Sequence, residues 1–352
     1  MQLRRTISIC LAILGIASLS LAQPKPKVPV NFIYTEGETA KVKVNVIGDG
    51  TLKFATNDPN LKSMGLDSAI PVNLSVGMLA EVSTLSVTPD GTGTFNLALK
   101  NPDINVNVLG QRIQMTEKGG EFKTFLNGKE MDTRGSDSTA AATPNPFKDA
   151  VMQFTVDSKG KVLDYENSMY KELEKDPAFS ELQGQMKNYM MKMNRRFIPM
   201  DEIGIGDTWA DTTRFEDIPL PIKFSKPLQI ITKYQVKDIK DVNGEKVAVI
   251  DYKTKNDFTG TSMSFDFSKF GKSAGAMAPM PMNGDLKFTF KKAAFDQSGQ
   301  MQVGLGKSRV AKITQQITAD FVIGIDMNIM DKPMNMDIQA KGKMLVLIEN
   351  QN

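Results

Sequence analysis

The sequence has no histidine and only one cysteine, Cys10. Cys10 lies in an N-terminal segment that we expect to be removed, so the mature chain would have neither a thiol nor an imidazole. These absences exclude disulfides, iron–sulfur clusters, His-ligated haem and zinc sites with Cys or His ligands. They also exclude Ser-His-Asp and Cys-His catalysis, because no imidazole is present to act as the base. We therefore predict a protein that is not an enzyme, with no catalytic residues, no metal site and no cofactor.

The chain also has few aromatic residues and a small net charge. Trp209 is the only tryptophan, and aromatic residues make up 7% of the chain. The 43 Lys and Arg residues nearly balance the 40 Asp and Glu residues, which gives a formal net charge of +3, and no basic run stands out. Binding of nucleic acid depends on a basic surface. We therefore expect no nucleic-acid partner.

The N-terminal segment predicts export from the cytoplasm. Arg4 and Arg5 are followed by an apolar run over 7–19, and the segment ends in small residues at Ser20 and Ala22. A basic start, a short apolar core and a small-x-small ending are typical of a secretory signal peptide. We expect cleavage near Ala22 and an extracytoplasmic location, either periplasmic or secreted.

The sequence shows no second segment that would hold the protein in a membrane. No later run is apolar over the roughly 20 residues that a transmembrane helix requires. The chain ends in polar residues at Asn352, without the terminal aromatic residue that outer-membrane proteins usually carry. It is also poor in the aromatic residues that flank the apolar belt of such proteins. We therefore expect a protein that is not an integral membrane protein.

Most of the chain after Phe32 alternates between apolar and polar residues, which predicts β-strands. The stretch from Val42 to Val46 shows this alternation clearly. Glycine-containing stretches at 48–50 and 297–299 predict turns between strands.

Three hairpins have distinct signals. Asp-Gly at 90–91 and Asn-Gly at 243–244 predict hairpins whose turns contain these residues. A third hairpin is predicted over 314–329 and 334–348, with its tip at Asp331-Lys332-Pro333. In this last hairpin Ile323, Ile325, Met327 and Ile329 would share one face, opposed by Met336, Ile338, Ala340 and Met344.

One segment has helical periodicity instead. Asp176 followed by Pro177 is typical of a helix start, and Pro199 would end the helix. Apolar residues at spacings of three and four predict one stripe on a long amphipathic helix between Asp176 and Ile198. We expect the stripe to pack into the concave face of a curved sheet, because full burial of each side chain is worth about 1.5–3 kcal/mol. The stripe consists of Phe179, Leu182, Met186, Met190, Met193 and Phe197.

These patterns predict a mainly β (α+β) fold, with two related antiparallel β units, half-barrel-like, and the long amphipathic helix between them. The relation between the units depends on turn and loop features that recur in the same order, and a chance order among common β-turns is the alternative. The predicted organisation is a signal peptide over 1–22, a Pro-rich leader over 23–31, a first β unit over 32–164, a helical segment over 165–200 and a second β unit over 201–352.

The order of these features resembles that of a known group of proteins. A signal peptide, a strand entered through a Gly-Glu-Thr turn at 37–39, long hairpins, a central helix and a Gly-Asp-Thr-Trp turn at 206–209 are similar to a family of uncharacterised secreted bacterial proteins with two β-rich halves. The resemblance covers most of 32–348. It implies a secreted β-rich protein, and it implies no activity and no catalytic residues.

Four residues are candidates for binding a ligand. Trp209 follows the Gly-Asp-Thr turn, and it would either anchor the core beneath that turn or form an aromatic floor for a ligand. Met277, Met280 and Met282 lie in a loop over 271–284 that is rich in small residues and proline. Methionine adapts to apolar ligands, so this loop would act as a lid or would be an inert connection. Because thioether sulfur also binds Cu(I), copper binding is the rival interpretation of the same residues.

The predicted function follows from the predicted export and from the absence of thiol and imidazole groups in the mature chain. A secreted chain without thiol or imidazole and with 22 methionines favours a protein that binds an apolar or amphipathic ligand, in the manner of a lipid-like carrier. A structural or interaction protein of the cell envelope is the alternative, and copper binding by methionine is a further one. The expected partner is an apolar small molecule or lipid, and protein partners are left open.

Overall fold

Antiparallel strands account for most of the chain that the computed structural model describes. The structure describes residues 26–56, 68–118, 121–131, 151–167, 184, 187, 191, 196–215, 222–265, 286–306, 310–329 and 332–351. The predicted signal peptide over 1–22 lies outside these residues.

Five of the strands run for 18 residues or more, against about five or six in most proteins. The strands are β1 (Val28–Pro29), β2 (Thr39–Thr56), β3 (Ile70–Val87), β4 (Gly93–Val108), β5 (Gln111–Lys118), β6 (Glu121–Leu126), β7 (Lys129–Glu130), β8 (Val151–Val156), β9 (Val162–Asn167), β10 (Glu202–Ile203), β11 (Thr208–Phe215), β12 (Ile222–Phe224), β13 (Leu228–Val242), β14 (Glu245–Asp257), β15 (Ser262–Phe265), β16 (Leu286–Gly304), β17 (Val310–Ile329) and β18 (Lys332–Asn350).

One sheet of 16 strands contains every strand except β1 and β10, which pair with each other. Its main path runs β11-β13-β14-β16-β17-β18-β2-β3-β4-β5-β6-β7, and β8 and β9 extend from β4 on a branch. β18 pairs with β2 from Met336↔Thr56 to Asn350↔Val42. Strands from the predicted first and second β units therefore form one continuous antiparallel sheet.

The two faces of this sheet differ in polarity. Alternate residues of a strand lie on opposite faces, and residues directly opposite each other on antiparallel strands share a face. We call the face that carries Val44, Val46, Ile250 and Tyr252 the inner face, and the other the outer face. Inner positions of the central strands are apolar, as in the rows Ile348–Val44–Met78, Val346–Val46–Val76 and Ile338–Phe54, whereas outer positions include Lys43, Asp49, Lys53, Asp337, Lys341 and Lys343.

Residues 28–34, which we call the strap, show that the sheet is strongly curved. The Phe32 amide donates to Ser158 O at 2.8 Å, and the next amide, of Ile33, donates to Gly306 O at 2.7 Å. Ser158 follows β8 and Gly306 follows β16, and these strands are six places apart in the sheet. A flat sheet would separate them by roughly 29 Å at about 4.8 Å per strand. The sheet must therefore bend so that the end of β8 and the end of β16 both reach the strap. We call the parts of the sheet that carry these two strands its two arms.

The best-buried part of the molecule lies where the strap crosses the inner face. Val30 and Phe32 of the strap pack with Ile203, Ile250 and further buried side chains in one apolar cluster. The Phe32 ring occupies the space above Gly160, where a Cβ would come within 2.6 Å of the ring. The cluster is completed by Ile198, Val236, Ala248, Tyr252, Met301, Val303 and Leu305.

The structure corrects the predicted α+β class. Every element of the described chain is a strand, and no helix of the described fold separates two β units. Of the predicted helix between Asp176 and Ile198, only 184, 187, 191 and 196–198 are described, and the first three of these have helical backbone geometry. A helical spacing shows only which residues would share a face if a helix formed, and most helical stability comes from tertiary packing. Here the strap and the residues around Ile198 fill the core over Ile250.

The predicted turns at 48–50 and 297–299 are also wrong, because β2 and β16 run straight through them. Gly50 lies opposite Gly342, and a Cβ on Gly50 would come within 2.7 Å of Lys341 O. Glycine is required here by a close approach of two backbones, which is the other common reason for glycine within a strand.

Candidate functional site

The inner face of the central strands forms a wide apolar surface that is only partly covered. No residue of β2 is fully buried, and its inner residues from Ala40 to Thr56 are half-buried. Ile250, beneath the strap, is by contrast 0% exposed. The inner face therefore has a sealed part at the strap and a half-buried part over β18, β2 and β3. The half-buried part includes Val42, Val44, Val46, Leu52, Phe54, Val72, Leu74, Val76, Met78, Ile338, Ala340, Met344, Val346 and Ile348.

An aromatic ladder crosses the inner face next to the sealed core. Trp209, Tyr234 and Tyr252 lie directly opposite one another on β11, β13 and β14. The rings of Trp209 and Tyr234 stack at 5.1 Å, and those of Tyr234 and Tyr252 lie 6.1 Å apart. Phe197 meets Trp209 and Tyr234 edge-on, at 6.4 and 5.5 Å. Aromatic pairs of this geometry add about 0.5–1.5 kcal/mol beyond area burial, so the ladder fixes this end of the sheet.

The ladder depends on a β-bulge. Counting back from the Asn-Gly turn at 243–244 without interruption would place Tyr252 opposite Gln235. The register shifts between Val236 and Asp238, which brings Tyr234 opposite Tyr252 instead. A bulge of this kind inserts one residue into a strand and re-aims the side chains beyond it. Sequence periodicity gives no signal for it, and this is why the ladder was not predicted.

Polar side chains continue along the inner face of β14 beyond the ladder. Thr254 lies opposite Thr232, and their hydroxyl oxygens are 2.6 Å apart. Asn256 follows on the same face and is 4% exposed. Neither its amide nitrogen nor its amide oxygen has a hydrogen-bond partner among the described residues. Inner positions of β14 thus change from apolar at Ile250 to polar at Asn256.

The tyrosines of the ladder are shifted in their titration. Burial raises the pKa of Tyr234 above that of a free tyrosine, and the nearby carboxylate of Asp211 adds to this. Burial also raises the pKa of Tyr252. Both phenols therefore stay protonated at neutral pH, and the Tyr252 hydroxyl donates to Gln315 Oε1 at 2.9 Å.

A groove of about 870 Å³ lies on the opposite side of these strands. Its lining includes the outer residues Lys233, Gln235, Asp251 and Lys253 and the three ladder residues. Lys233 and Lys253 are directly opposite each other. The charged side chains of Lys233, Asp251 and Lys253 distinguish this groove from the inner rows of β18, β2 and β3.

The structure places one of the four predicted ligand-binding residues. Trp209 belongs to the ladder beside the core, and its indole Nε1 is buried without a hydrogen-bond partner among the described residues. Met277, Met280 and Met282 lie outside the described residues, as does the rest of the predicted loop over 271–284. The inner face contributes Met78, Met336 and Met344 instead.

Other kinds of site are absent from the part of the chain that the structure describes. No three acidic side chains come together there in a way that would hold a metal ion. The described residues also include no helix with the length and apolar character needed to cross a membrane. Apart from the two tyrosines, the clearest titration shift in these ranges is at Asp90, whose pKa is lowered by the Thr88 hydroxyl in the exposed β3–β4 turn.

Comparisons with known proteins give only distant likenesses. No family model matches the sequence, and no curated protein matches it. An outer membrane channel from Pseudomonas putida F1 is 8% identical, with 93% of this chain and 100% of that chain covered and a TM-score of 0.20. OccK5 (OpdH) of Pseudomonas aeruginosa is 5% identical, with coverages of 88% and 98% and a TM-score of 0.18. OpdL of Pseudomonas aeruginosa is 7% identical, with coverages of 90% and 99% and a TM-score of 0.19. At such TM-scores the likeness carries no argument about function.

Proposed function

We propose that the protein binds an apolar or amphipathic molecule of lipid size against the half-buried part of its inner face, after export by the predicted signal peptide. One observation carries the proposal. The rows that join β18, β2 and β3 on the inner face carry no polar side chain from Val44 to Phe54, yet no residue of β2 is fully buried. Contiguous apolar surface that keeps contact with solvent is typical of binding sites.

The energetics favour a ligand over a bare surface. Each Å² of apolar surface removed from water is worth about 25 cal/mol, so covering several of these half-buried side chains would offset the entropy lost on binding. Where the chain covers its own inner face, at the strap, Ile250 becomes completely buried. An apolar ligand would bury the half-buried part of the inner face in the same way as the strap buries the sealed part.

A structural or interaction protein of the cell envelope is the second candidate. The observation that favours it is on the outer face, where Ile47 and Leu345 lie directly opposite each other and are 61% and 47% exposed. Two large apolar side chains side by side on an otherwise charged surface would suit a protein partner. In that case the inner face would remain unoccupied.

Copper binding by Met277, Met280 and Met282 remains a separate prediction, as does the absence of enzymatic activity. Native mass spectrometry of protein purified from its own cells tests both copper binding and the binding of an apolar or amphipathic ligand. A bound mass of several hundred daltons that extracts into organic solvent would support ligand binding. A shift of one copper ion that is lost in Met280→Leu would support the copper site. Protein that is consistently empty would contradict both.

A matched pair of variants on β2 locates the binding surface. Val46 and Ile47 are neighbours, but Val46 is an inner residue and Ile47 is an exposed outer one. Val46→Asn should weaken binding of a neutral naphthylamine dye by about tenfold or more, because a buried apolar contact of 1.5–3 kcal/mol is lost. Ile47→Asn should leave dye binding unchanged. Far-UV circular dichroism checks that both variants keep the sheet, and equal dye affinities for the two would contradict the proposal.

A further inference from the structure

The inner face contains a buried amide side chain whose donor and acceptor are both unused within the described structure. Asn256 is 4% exposed, and neither Nδ2 nor Oδ1 has a partner among the described residues. Thr261, which lies across the β14–β15 turn, is also buried with an unpartnered hydroxyl. Buried polar groups in native proteins nearly always have a partner. An amide left without one costs free energy comparable to a lost hydrogen bond.

The position of Asn256 places it at the border between polar and apolar inner residues. It is opposite Phe295 on β16 and follows Tyr252 and Thr254 on the same face of β14. Thr254 already shares a hydrogen bond with Thr232, so that hydroxyl pair is satisfied without Asn256. The free amide therefore faces the inner side of the sheet next to the apolar rows of β16 and β17.

The inner rows that lead from Asn256 across β16 to β3 carry no charge, whereas on the other side of β14 the carboxylate of Asp211 lies on the same face, opposite Thr232. Inner positions of β16, β17, β18, β2 and β3 whose side chains the structure describes carry no Lys, Arg, Asp or Glu over 288–303, 313–325, 336–350, 40–56 and 70–84. A carboxylate or phosphate placed there would be buried without a counter-ion, which is costly. An uncharged group that both accepts from Nδ2 and donates to Oδ1 fits the amide.

We propose that the Asn256 amide holds the uncharged, hydroxyl-bearing polar head of an amphipathic ligand, with the ligand's apolar chain lying on the adjacent inner rows. The inference rests on the proposed function and names the ligand class, which is a neutral amphiphile of the monoacylglycerol kind. The amide Nδ2 donates to a head-group oxygen, and a head-group hydroxyl donates to Oδ1. This pairing satisfies the donor and the acceptor that the described structure leaves free.

Three related probes separate the head group from the chain. Mono-olein has hydroxyl donors and an ester, methyl oleate has the same chain without a donor, and oleate at pH 9 adds a charge. Displacement of the bound naphthylamine dye gives their relative affinities. The wild-type protein should bind mono-olein about tenfold more tightly than methyl oleate, as one hydrogen-bonded pair predicts, and oleate more weakly than mono-olein.

The variants test whether Asn256 causes that preference. Asn256→Leu should bind mono-olein and methyl oleate equally, with methyl oleate affinity retained, and its urea midpoint should not fall, because no native hydrogen bond is removed. Asn73→Leu, the same substitution at an exposed outer position of β3, should keep the tenfold preference.

Each failure has a separate meaning. A wild-type protein that binds none of the probes, including the dye, contradicts the proposed function itself. Binding of all probes with a head-group preference that Asn256→Leu does not change overturns only the assignment of Asn256. A fall in the urea midpoint of Asn256→Leu without any change in ligand preference would show that a buried water satisfies the amide, and would also overturn it.

Discussion

The Tyr252 hydroxyl donates a 2.9 Å hydrogen bond to Gln315 Oε1 across Gly299, which lies between them on β16. The missing side chain of Gly299 leaves the room that the tyrosine ring occupies. A Cβ at this position would come within 2.7 Å of the Tyr252 hydroxyl oxygen and 2.5 Å of Thr314 O. One glycine therefore lets an aromatic side chain span three strands on the inner face.

Gly299→Ala should lower the free energy of unfolding by about 1–3 kcal/mol, the usual cost of forcing an extra methyl into a packed site. Urea unfolding followed by circular dichroism measures the change. Gly77→Ala is the matched control, since Gly77 also lies within a strand and the nearest atom to a new Cβ is Asn45 Oδ1 at 3.9 Å. Equal unfolding midpoints for the two variants would contradict the packing described here.

The Phe32 ring of the strap should contribute a large share of the free energy of unfolding. Phe32 is 7% exposed and packs in the core, whereas the next residue, Ile33, is 62% exposed. Phe32→Ala should cost about 3–5 kcal/mol of unfolding free energy, as for other buried aromatic residues. Ile33→Ala should change it by less than about 0.5 kcal/mol. A small effect of Phe32→Ala would mean that the strap does not hold the two arms of the sheet together.

Local sequence signals predicted several hairpins correctly. The Asn-Gly turn at 243–244 joins β13 to β14, with both residues at positive φ, and the Asp-Gly turn at 90–91 joins β3 to β4. In the last hairpin the two predicted sets of residues share one face, with Ile323 opposite Ile338 and Ile325 opposite Met336. These features depend on neighbouring residues alone, since turn chemistry and two-residue alternation act over a few positions.

Features that depend on distant parts of the chain were not predicted. Gly50 and Gly299 lie in stretches predicted to be turns, although each is required by a close approach to a residue of another strand. The pairing of β18 with β2 joins residues as far apart along the sequence as Val42 and Asn350, and no local pattern indicates it. Asn256 was not predicted as a site residue for the same reason, because only the folded sheet shows that its amide is buried and unpartnered.

The outer groove predicts a stabilising substitution. Lys233 and Lys253 are exposed and directly opposite each other, with no ion pair for either among the described residues. Like charges opposite each other are destabilising, by roughly 0.2–1 kcal/mol. Lys253→Glu should therefore raise the free energy of unfolding by about that amount in low salt, and 1 M NaCl should remove most of the gain.

The control substitution should change the free energy of unfolding in the opposite direction. Lys41 lies opposite Glu81, with 3.8 Å between the charged atoms, so Lys41→Glu should lower stability in low salt. If both variants shift the urea midpoint in the same direction, cross-strand charge is not what determines the effect.

The aromatic ladder predicts loss of stability in alkali. Burial raises the pKa of Tyr234 above that of a free tyrosine, so in the folded state this phenol holds its proton more tightly than in the unfolded chain. Below the unfolded pKa of about 10 both states are protonated, and the stabilisation is fully present. As the pH rises from about 10 through the folded pKa, the unfolded state releases its proton first and the free energy of unfolding falls. Urea midpoints measured between pH 8 and pH 11.5 should therefore decline above pH 10, and Tyr234→Phe should make the decline shallower. Tyr165→Phe, which changes a tyrosine outside the ladder, should keep the full decline; the same flattening in both variants would show that the effect does not come from the ladder.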